Sequence, residues 1–262
     1  ALDRIVPTMD EEIAKEFMKS LKKQGLEFKL SHKVISTKAG KSGVEVSMES
    51  SDKKQIKEKY DVVLMSVGRK PNTEGLNLEG IGVKLNEKKA VEINNQFKTN
   101  IENIFAIGDV VPGPMLAHKA EEEGVACVEF ISGQKPHINY DIIPAIVYTN
   151  PEVASVGKTE TELKEAKADY KVGKFPFMAN GRALTTSSTE GFVKILADTK
   201  TDTILGAHII GHDAGQLIAE IVTTMEFGGS SEDIARICHA HPTTSEAVKE
   251  AAMNIDGRAI HI

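Results

Sequence analysis

Two apolar segments in the second half of the chain, GFVKILAD and TILGAHIIG, are separated only by the four residues TKTD. A polar connection this short predicts an antiparallel hairpin. Further strands are predicted in PAIVYTN, EVASVG and DYKVGKFPF, and helices in TETELKEAKA and at residues 214–227, 231–237 and 244–253. Antiparallel strands followed by helices favour an α+β domain over a βαβ arrangement.

The first half of the chain begins with a predicted helix and a second predicted hairpin. Apolar residues recur at helical spacing between residues 9 and 24, with Asp10 as the candidate cap and Gly25 as the stop. The segments VISTKAG and VEVSMES then predict two strands that are joined by a turn at residues 40–43.

Two short apolar runs and one helix are predicted in the middle of the chain. YDVVLMSVG, at residues 60–68, is predicted to be a buried parallel strand, and NIFAIGDV, at residues 103–110, a second buried strand. A helix follows at residues 116–132, with apolar positions at Ala120, Val125, Val128 and Ile131. The segment FMANGRALTT, at residues 177–186, contains an Asn-Gly turn and is predicted to be a loop.

The composition argues against several classes of function. The formal net charge of −6 indicates no broad basic surface for nucleic acid. No apolar run approaches the roughly 20 residues that span a bilayer, and the first residues lack the basic start and apolar core of a signal peptide. Cys127 and Cys238 stand far apart and form no metal-ligand pattern, so we expect two reduced thiols and no metal site.

The stretch HAHPTTSE, at residues 239–246, allows two interpretations. Glu246 could orient His241 and stabilise its charge, so that the imidazole transfers a proton near neutral pH. Alternatively, Thr243 and Glu246 form a capping box at the start of a helix, and His241 is merely a surface residue. The spacing alone favours the capping box. His239, two positions earlier, is interpreted as structural.

Three other segments each allow a ligand-binding and a structural interpretation. Asp109 ends NIFAIGDV, and open sheets bind ligands outside the carboxyl ends of their strands, although a Gly-Asp pair also forms ordinary turns. MLAHKAEEEG could direct the free amides of a helix start at a ligand, or simply begin an amphipathic helix. Gly68 could permit the close approach of a ligand, or only end its strand.

One family shares the order and spacing of six segments of this chain: TNIENIFAIGDV, GPMLAHKAEEEG, NPEVASVGKTE, GFVKIL, ILGAHIIG and DIARICHAHPTTSEAVKEA. The chain resembles the dihydrolipoamide dehydrogenases, which are FAD-dependent pyridine-nucleotide disulfide oxidoreductases, over nearly its whole length. The resemblance implies an α/β remnant of a Rossmann-like NAD-binding domain at residues 1–68 and a central, FAD-contacting domain at residues 69–139. It also implies a C-terminal α+β interface domain with an antiparallel sheet at residues 140–262.

The resemblance also implies roles for individual residues. His241 matches the proton-transferring base of the family and Glu246 matches its partner, while Asp109 matches a residue that binds the ribityl chain of FAD. Four residues match the segment that lies along the flavin: Met115, Leu116, Ala117 and His118. Two residues match positions that touch NAD: Val34 and Gly68.

The activity and partners of the family follow from the same resemblance. In the family, dihydrolipoamide reduces an enzyme disulfide, the histidine takes the thiol proton, and FAD passes a hydride to NAD. The histidine serves the flavin site of the other subunit, which implies a homodimer. The interface domain binds the acyltransferase subunit of 2-oxo-acid dehydrogenase complexes, so the expected compartment is the bacterial cytoplasm or the mitochondrial matrix.

Two alternatives stay open at this point. A glutathione-reductase-like disulfide reductase shares the His-Pro…Glu pairing, and the chain by itself could be a non-catalytic dimerisation and docking module. The chain also departs from the family, whose members often carry His in place of Asn150 and Ser in place of Gly181. The CxxxxC disulfide and both GxGxxG motifs are absent. We therefore expect a C-terminal portion that lacks the FAD domain, binds neither cofactor tightly and is inactive by itself.

Overall fold

The computed structural model describes residues 2–262 and divides the chain into two compact units. The larger unit contains the residues up to Val63 together with Asp141–Ile262, and the smaller unit is Leu64–Tyr140. The three-part division expected from the family stays a prediction. None of the helices among the described residues has the length and apolar character needed to cross a bilayer.

The larger unit begins with helix α1, Glu11–Lys23, and a three-stranded antiparallel sheet. The Asp10 carboxylate accepts a hydrogen bond of 3.0 Å from the backbone N–H of Glu12, which confirms the predicted helix cap. The strands are β1, His32–Gly40, β2, Gly43–Ser50, and β3, Gln55–Tyr60, in the order β1-β2-β3. The predicted hairpin between the first two strands is confirmed, whereas β3 was not predicted.

The predicted buried strand at residues 60–68 is wrong. Strand β3 ends at Tyr60, and three of the following apolar side chains, Val62, Leu64 and Val67, are more than four-fifths exposed. A parallel strand acquires its hydrogen bonds and its burial from neighbouring strands, and no strand in the described part of the chain pairs with this run. An apolar run alone therefore does not form a strand.

The smaller unit contains one long helix, α2, Ala117–Ile131, which confirms the predicted helix. The predicted strand at residues 103–110 is not regular, because only an isolated bridge at Phe105 and a 3₁₀ turn at Gly108–Val110 form there. Nearby, an isolated bridge joins Leu85 and Val91. This unit is therefore held together mainly by packing and by irregular backbone contacts.

The direction in which α2 faces also differs from the prediction. The side chains of Val125, Val128 and Ile131 are exposed, while the charged side chains of Lys119 and Glu123 are buried. The ammonium of Lys119 lies 2.8 Å from Glu123 Oε1, one helical turn away, at an angle that makes no hydrogen bond. The buried face of α2 therefore carries a charged pair, and the face that the apolar pattern was expected to bury is exposed.

The remainder of the larger unit is the predicted α+β arrangement. Its sheet has the strand order β4-β5-β8-β7-β6, with antiparallel neighbours throughout. The strands are β4 Ala145–Val147, β5 Glu152–Gly157, β6 Tyr170–Pro176, β7 Phe192–Asp198 and β8 Ile204–Gly211. The helices are α3 Glu160–Glu165, α4 Gly181–Thr185, α5 Ala214–Glu226, α6 Ser231–Arg236 and α7 Glu246–Asn254. Every strand and helix predicted after residue 140 is present, with shifted ends.

The two faces of this sheet bury different parts of the chain. One face packs with helices α5, α6 and α7 into the main apolar core, which contains Ile195, Ile209 and Ile221. The opposite face receives α1, whose buried Ile13 and Phe17 form an apolar cluster with Met9, Val153, Phe192 and Ile210. Successive side chains in a strand point to opposite faces, so the alternating residues of β7 and β8 supply both cores.

A buried charge cluster lies beside this second apolar cluster. The side chain of Lys194, in β7, is fully buried, and its Nζ lies 3.1 Å from Asp10, 3.2 Å from Glu12 and 2.6 Å from Glu160. The acidic groups come from the starts of α1 and α3, so one ammonium joins two helices to the sheet. The next strand places His208 opposite Lys194, with Nε2 of His208 3.0 Å from the carbonyl oxygen of Lys158.

We expect Lys194→Met to destabilise the larger unit by about 3–5 kcal/mol, because buried carboxylates would lose their counter-charge. Lys164→Met is the matched control, since Lys164 also pairs with Glu160 but is largely exposed, and its loss should cost at most about 1 kcal/mol. Urea unfolding followed by circular dichroism measures both free energies. Equal losses in the free energy of unfolding would show that burial does not increase the contribution of the Lys194 cluster to stability.

Candidate active site

His241 lies in the loop between α6 and α7, and its side chain is 74% exposed. Its Nδ1 is 2.9 Å from Oε1 of Glu246, the first residue of α7. The other carboxylate oxygen of Glu246 accepts a hydrogen bond of 2.8 Å from the backbone N–H of Thr243. The carboxylate is thus held at one oxygen by the backbone while the other oxygen orients the imidazole.

The capping-box interpretation of this stretch is only half met. Helix α7 has Ser245 as its N-cap, and no side chain caps it. The Thr243 hydroxyl donates instead to the carbonyl oxygen of Ala240, at 2.7 Å. The contact from Glu246 back to the Thr243 N–H is present, so Glu246 bonds both the loop backbone and His241.

The surroundings of Glu246 keep its carboxyl group charged. Burial raises the pKa of this carboxyl, but the Thr243 N–H and the His241 ring that bond to it bring its pKa below the usual value. A charged carboxylate can only accept, so Glu246 accepts a hydrogen bond from Nδ1–H of His241, and Nε2 of the neutral ring keeps its lone pair.

Two further contacts hold the loop before His241. Nε2 of His239 lies 2.7 Å from the Glu220 carboxylate on α5, and the His239 ring is almost completely buried. The ammonium of Lys249, on α7, donates a 2.8 Å hydrogen bond to the carbonyl oxygen of Ile237. These contacts are those of a structural histidine, as the sequence suggested for His239.

The prediction of a loop at residues 177–186 is wrong, and this segment contributes to the region around His241. It forms a 3₁₀ turn at Phe177–Ala179 followed by α4, and Asn180 caps α4. The sequence signal for this cap was available, because Asn is among the preferred N-cap residues. What the sequence did not reveal is that residue 180 lies beside the His241 loop, with its amide bonded to Thr243.

In the smaller unit, Asp109 stands in a 3₁₀ turn that a buried carboxylate fixes. The Gly108 N–H donates to Glu123 Oε2 at 2.7 Å, and the Tyr140 hydroxyl donates to Glu123 Oε1 at 3.0 Å. Burial and the Glu123 carboxylate raise the pKa of Tyr140 to about 12, so this hydroxyl remains a donor. Gly108 has a positive φ of 73°, and an added Cβ would lie only 3.1 Å from Cβ of Ala120.

An arginine that sequence reasoning missed joins two of the predicted flavin residues. The Arg69 guanidinium bonds the Asp109 carboxylate and also donates a 3.2 Å hydrogen bond to the carbonyl oxygen of Met115. Leu116 is the N-cap of α2, and no side chain caps the first turn, which contains Ala117 and His118. Arg69 therefore links Asp109 to Met115, the residue before the N-cap of α2.

The two residues predicted to touch NAD belong to different units of the chain. Val34 lies on β1 in the larger unit, at a register irregularity, and is more than half exposed. Gly68 lies in the smaller unit with φ 115° and no atom within 4 Å of an added Cβ. Their assignment to NAD stays a prediction.

The described residues include no group of three or more side chains that could hold a metal ion. Both cysteines are free, with Cys127 buried and Cys238 exposed. Burial raises the pKa of the Cys127 thiol, which makes that thiol a poor nucleophile.

Comparison with known proteins gives matches along most of the chain. Residues 1–124 match the family model described as pyridine nucleotide-disulphide oxidoreductase, and residues 143–252 match the model of the dimerisation domain of that family. Mitochondrial dihydrolipoyl dehydrogenase of Pisum sativum is 55% identical over 259 residues, which are 98% of this chain and 52% of that protein. Dihydrolipoyl dehydrogenase of Cupriavidus necator is 50% identical over 262 residues, 100% of this chain and 55% of that protein.

Some similar proteins have other names. Leghemoglobin reductase of Glycine max is 55% identical over 250 residues, which are 95% of this chain and 48% of that protein. Among solved structures, LpdA of Mycobacterium tuberculosis has a TM-score of 0.87 at 25% identity, covering 97% of this chain and 55% of that one. The HOCl-induced flavoprotein disulfide reductase RclA of Escherichia coli has a TM-score of 0.86 at 26% identity, covering 94% and 56%.

These matches confirm the predicted fold class, a Rossmann-like portion followed by an α+β dimerisation domain. The chain spans about half the length of the curated relatives it matches.

We expect Glu123→Gln to destabilise the smaller unit by about 3–5 kcal/mol, because the buried Lys119 would lose its counter-charge. The Gly108 amide should also exchange its hydrogen faster, because its acceptor would be weakened. Glu122→Gln is the control, since Glu122 is exposed on the same helix. Hydrogen exchange with mass spectrometry measures the effect, and unchanged protection around Gly108 in Glu123→Gln would contradict the role given to this carboxylate.

Proposed function

Because this chain belongs to the pyridine nucleotide-disulphide oxidoreductases, we propose that its protein functions as a dihydrolipoyl dehydrogenase. Such a protein oxidises dihydrolipoamide through an enzyme disulfide and FAD and reduces NAD in 2-oxo-acid dehydrogenase complexes. The observation that carries the proposal is the 2.9 Å contact between His241 and Glu246, which leaves Nε2 of an exposed imidazole free to accept a proton. The names of the relatives at 50–55% identity support the choice of substrate.

His241 acts in this proposal as the general base for a thiol. Its Nε2 takes the proton when the dihydrolipoamide thiol attacks the disulfide, because the thiolate is the nucleophile. The imidazolium that results lies against the Glu246 carboxylate, which stabilises the new charge. Glu246 itself remains ionised and does not take the proton, since the Thr243 N–H also holds it in its charged form.

The chain carries features that fit a flavin in the smaller unit. A carboxylate accepts several hydrogen bonds, so Asp109 can bond a ribityl hydroxyl while Arg69 keeps its own contact. The first amides of α2 have no side-chain cap and suit a ring carbonyl. Flavin, when bound, would supply the electron transfer between thiols and nicotinamide. The residues that we assign to holding it are Asp109, Met115, Leu116, Ala117 and His118, and Val34 and Gly68 are assigned to NAD.

The proposed assembly is a homodimer. A dimerisation-domain match over residues 143–252 supports it, and the same region contains His241. We also propose that the interface domain binds the acyltransferase subunit of a 2-oxo-acid dehydrogenase complex, as the resemblance implies. Relatives named mitochondrial and a bacterial relative fit either the mitochondrial matrix or the bacterial cytoplasm as the compartment.

A second candidate function concerns the chain by itself, as a dimerisation and docking module. The dimerisation-domain match favours it, and the sequence contains neither a CxxxxC disulfide nor a GxGxxG motif. The two functions are compatible, because one belongs to the whole protein and the other to this chain.

In the full-length protein, we expect His241→Gln to lower lipoamide-dependent NADH formation by about 10²–10⁴-fold, the usual contribution of a general base. The content of bound flavin should stay unchanged. His212→Gln is the matched control, because His212 is an exposed histidine 2.9 Å from Asp213 in the same unit. Steady-state turnover and an absorbance scan test the prediction, and undiminished turnover in His241→Gln would refute the role of this histidine.

We expect the 262-residue chain alone to be colourless and to show no lipoamide-dependent NADH turnover, because it lacks the redox disulfide and the phosphate-binding glycines. It should dimerise through its dimerisation domain. Absorbance, an activity assay and size measurement by light scattering provide the test. A flavin spectrum at one FAD per chain would contradict the first expectation, and a strict monomer would contradict the second.

A further inference from the structure

The side chain of Asn180 connects two segments that are far apart in the sequence. It is only 3% exposed, and its two polar atoms have different partners. Oδ1 accepts a 2.9 Å hydrogen bond from the Ala183 N–H and so caps α4. Nδ2 donates a 3.0 Å hydrogen bond to the carbonyl oxygen of Thr243, in the loop that carries His241.

Thr243 transmits this contact to the base. Its carbonyl is held by Asn180, while its N–H donates to Oε2 of Glu246 at 2.8 Å. Oε1 of the same carboxylate lies 2.9 Å from Nδ1 of His241. Three hydrogen bonds therefore lead from Asn180 to the imidazole: the first two share the residue Thr243, and the last two share the carboxylate of Glu246.

The start of α4 also borders the imidazole ring. A Cβ added at Gly181 would lie 3.8 Å from Cε1 of His241, an ordinary van der Waals distance. Asn180 thus bonds two backbone segments near the ring, the first turn of α4 and the loop at Thr243. The anchors at Ile237 and His239 hold the loop before His241, whereas Asn180 holds it after Pro242.

We propose that Asn180 is a positioning residue that fixes the proton on Nδ1 of His241 and directs Nε2 outward as the base. It does so by bonding the Thr243 carbonyl and thereby aligning the Thr243 N–H with Glu246. This inference deepens the function proposed above and rests on it. Asn180 touches neither the reacting thiol nor a cofactor in this scheme, so its effect passes through Thr243 and Glu246.

Two substitutions separate the cap from the amide. Asn180→Asp and Asn180→Ser both retain an oxygen that caps α4, but neither retains the Nδ2 donor. One variant adds a charge and the other is neutral, so an effect common to both comes from the lost donor. Asn254→Asp is the matched control, because Nδ2 of Asn254 also donates to a backbone carbonyl, that of Lys174 at 2.7 Å, near the other end of α7.

We expect ¹⁵N NMR of labelled histidine in this chain to show His241 as the Nδ1–H tautomer in the wild type and in Asn254→Asp. Both Asn180 variants should show a mixture with the Nε2–H tautomer, and ¹³C NMR should show that the pKa of Glu246 rises towards its usual value. The amide resonance of Ala183 reports that α4 is intact. In the full-length protein, kcat should fall about three- to tenfold, as for the loss of one hydrogen bond, with KM little changed.

The outcomes distinguish this inference from the proposed function. If both Asn180 variants showed the wild-type tautomer of His241 and the wild-type pKa of Glu246, the positioning role of Asn180 would be overturned. A tautomer mixture together with unchanged turnover in both Asn180 variants and in His241→Gln would overturn the proposed function, while Asn180 would still hold the ring. Reduced kcat with a tautomer mixture supports both.

Discussion

The buried ammonium of Lys194 joins three parts of the larger unit that are far apart in sequence. Isolating a charge from water costs several kcal/mol, so Lys194 is tolerated in an inner strand only because Asp10, Glu12 and Glu160 surround it. These carboxylates lie at the starts of α1 and α3, and both helices must therefore dock at one point of the sheet. The apolar packing of Ile13 and Phe17 lies beside this point.

The ionisation of this cluster follows from the same contacts. Burial lowers the pKa of Lys194, but bonds to Glu160 and Asp10 raise it above the usual value. Hydrogen bonds from Lys164 and Lys194 lower the pKa of Glu160 from its usual 4.5 to about 2. The stability contributed by Glu160 is therefore fully present above pH 4.5 and is lost as the pH falls from 4.5 to about 2. Helix α2 contains a second buried pair of opposite charges, Lys119 and Glu123. The Glu123 carboxylate also accepts a hydrogen bond from the Gly108 N–H, in the turn that contains Asp109.

Local signals in the sequence predicted what local interactions decide. The cap at Asp10, the hairpin turn at residues 40–43 and the hairpin of β7 and β8 depend on near neighbours in the sequence, and they are present. The apolar run at residues 60–68 failed, because its burial requires partner strands that its own composition does not supply. The exposed face of α2 could not be predicted either, because apolar spacing gives no indication that Tyr140 and the Gly108 N–H satisfy a buried Glu123.

The candidate site also combines a contact between near neighbours in the sequence with a contact between distant residues. The spacing of His241 and Glu246 alone favoured a capping box, and only the family resemblance implied the pair, whose contact forms where a loop enters α7. Asn180 reaches that loop only because the chain returns through a sheet and three helices, and no spacing rule connects residue 180 with residue 243. The ring is nevertheless 74% exposed, whereas a general base acts on its proton best where water is excluded. This chain thus supplies the orientation of the base, and in the proposed dimer the enclosure of the base and the thiol it serves come from the other subunit.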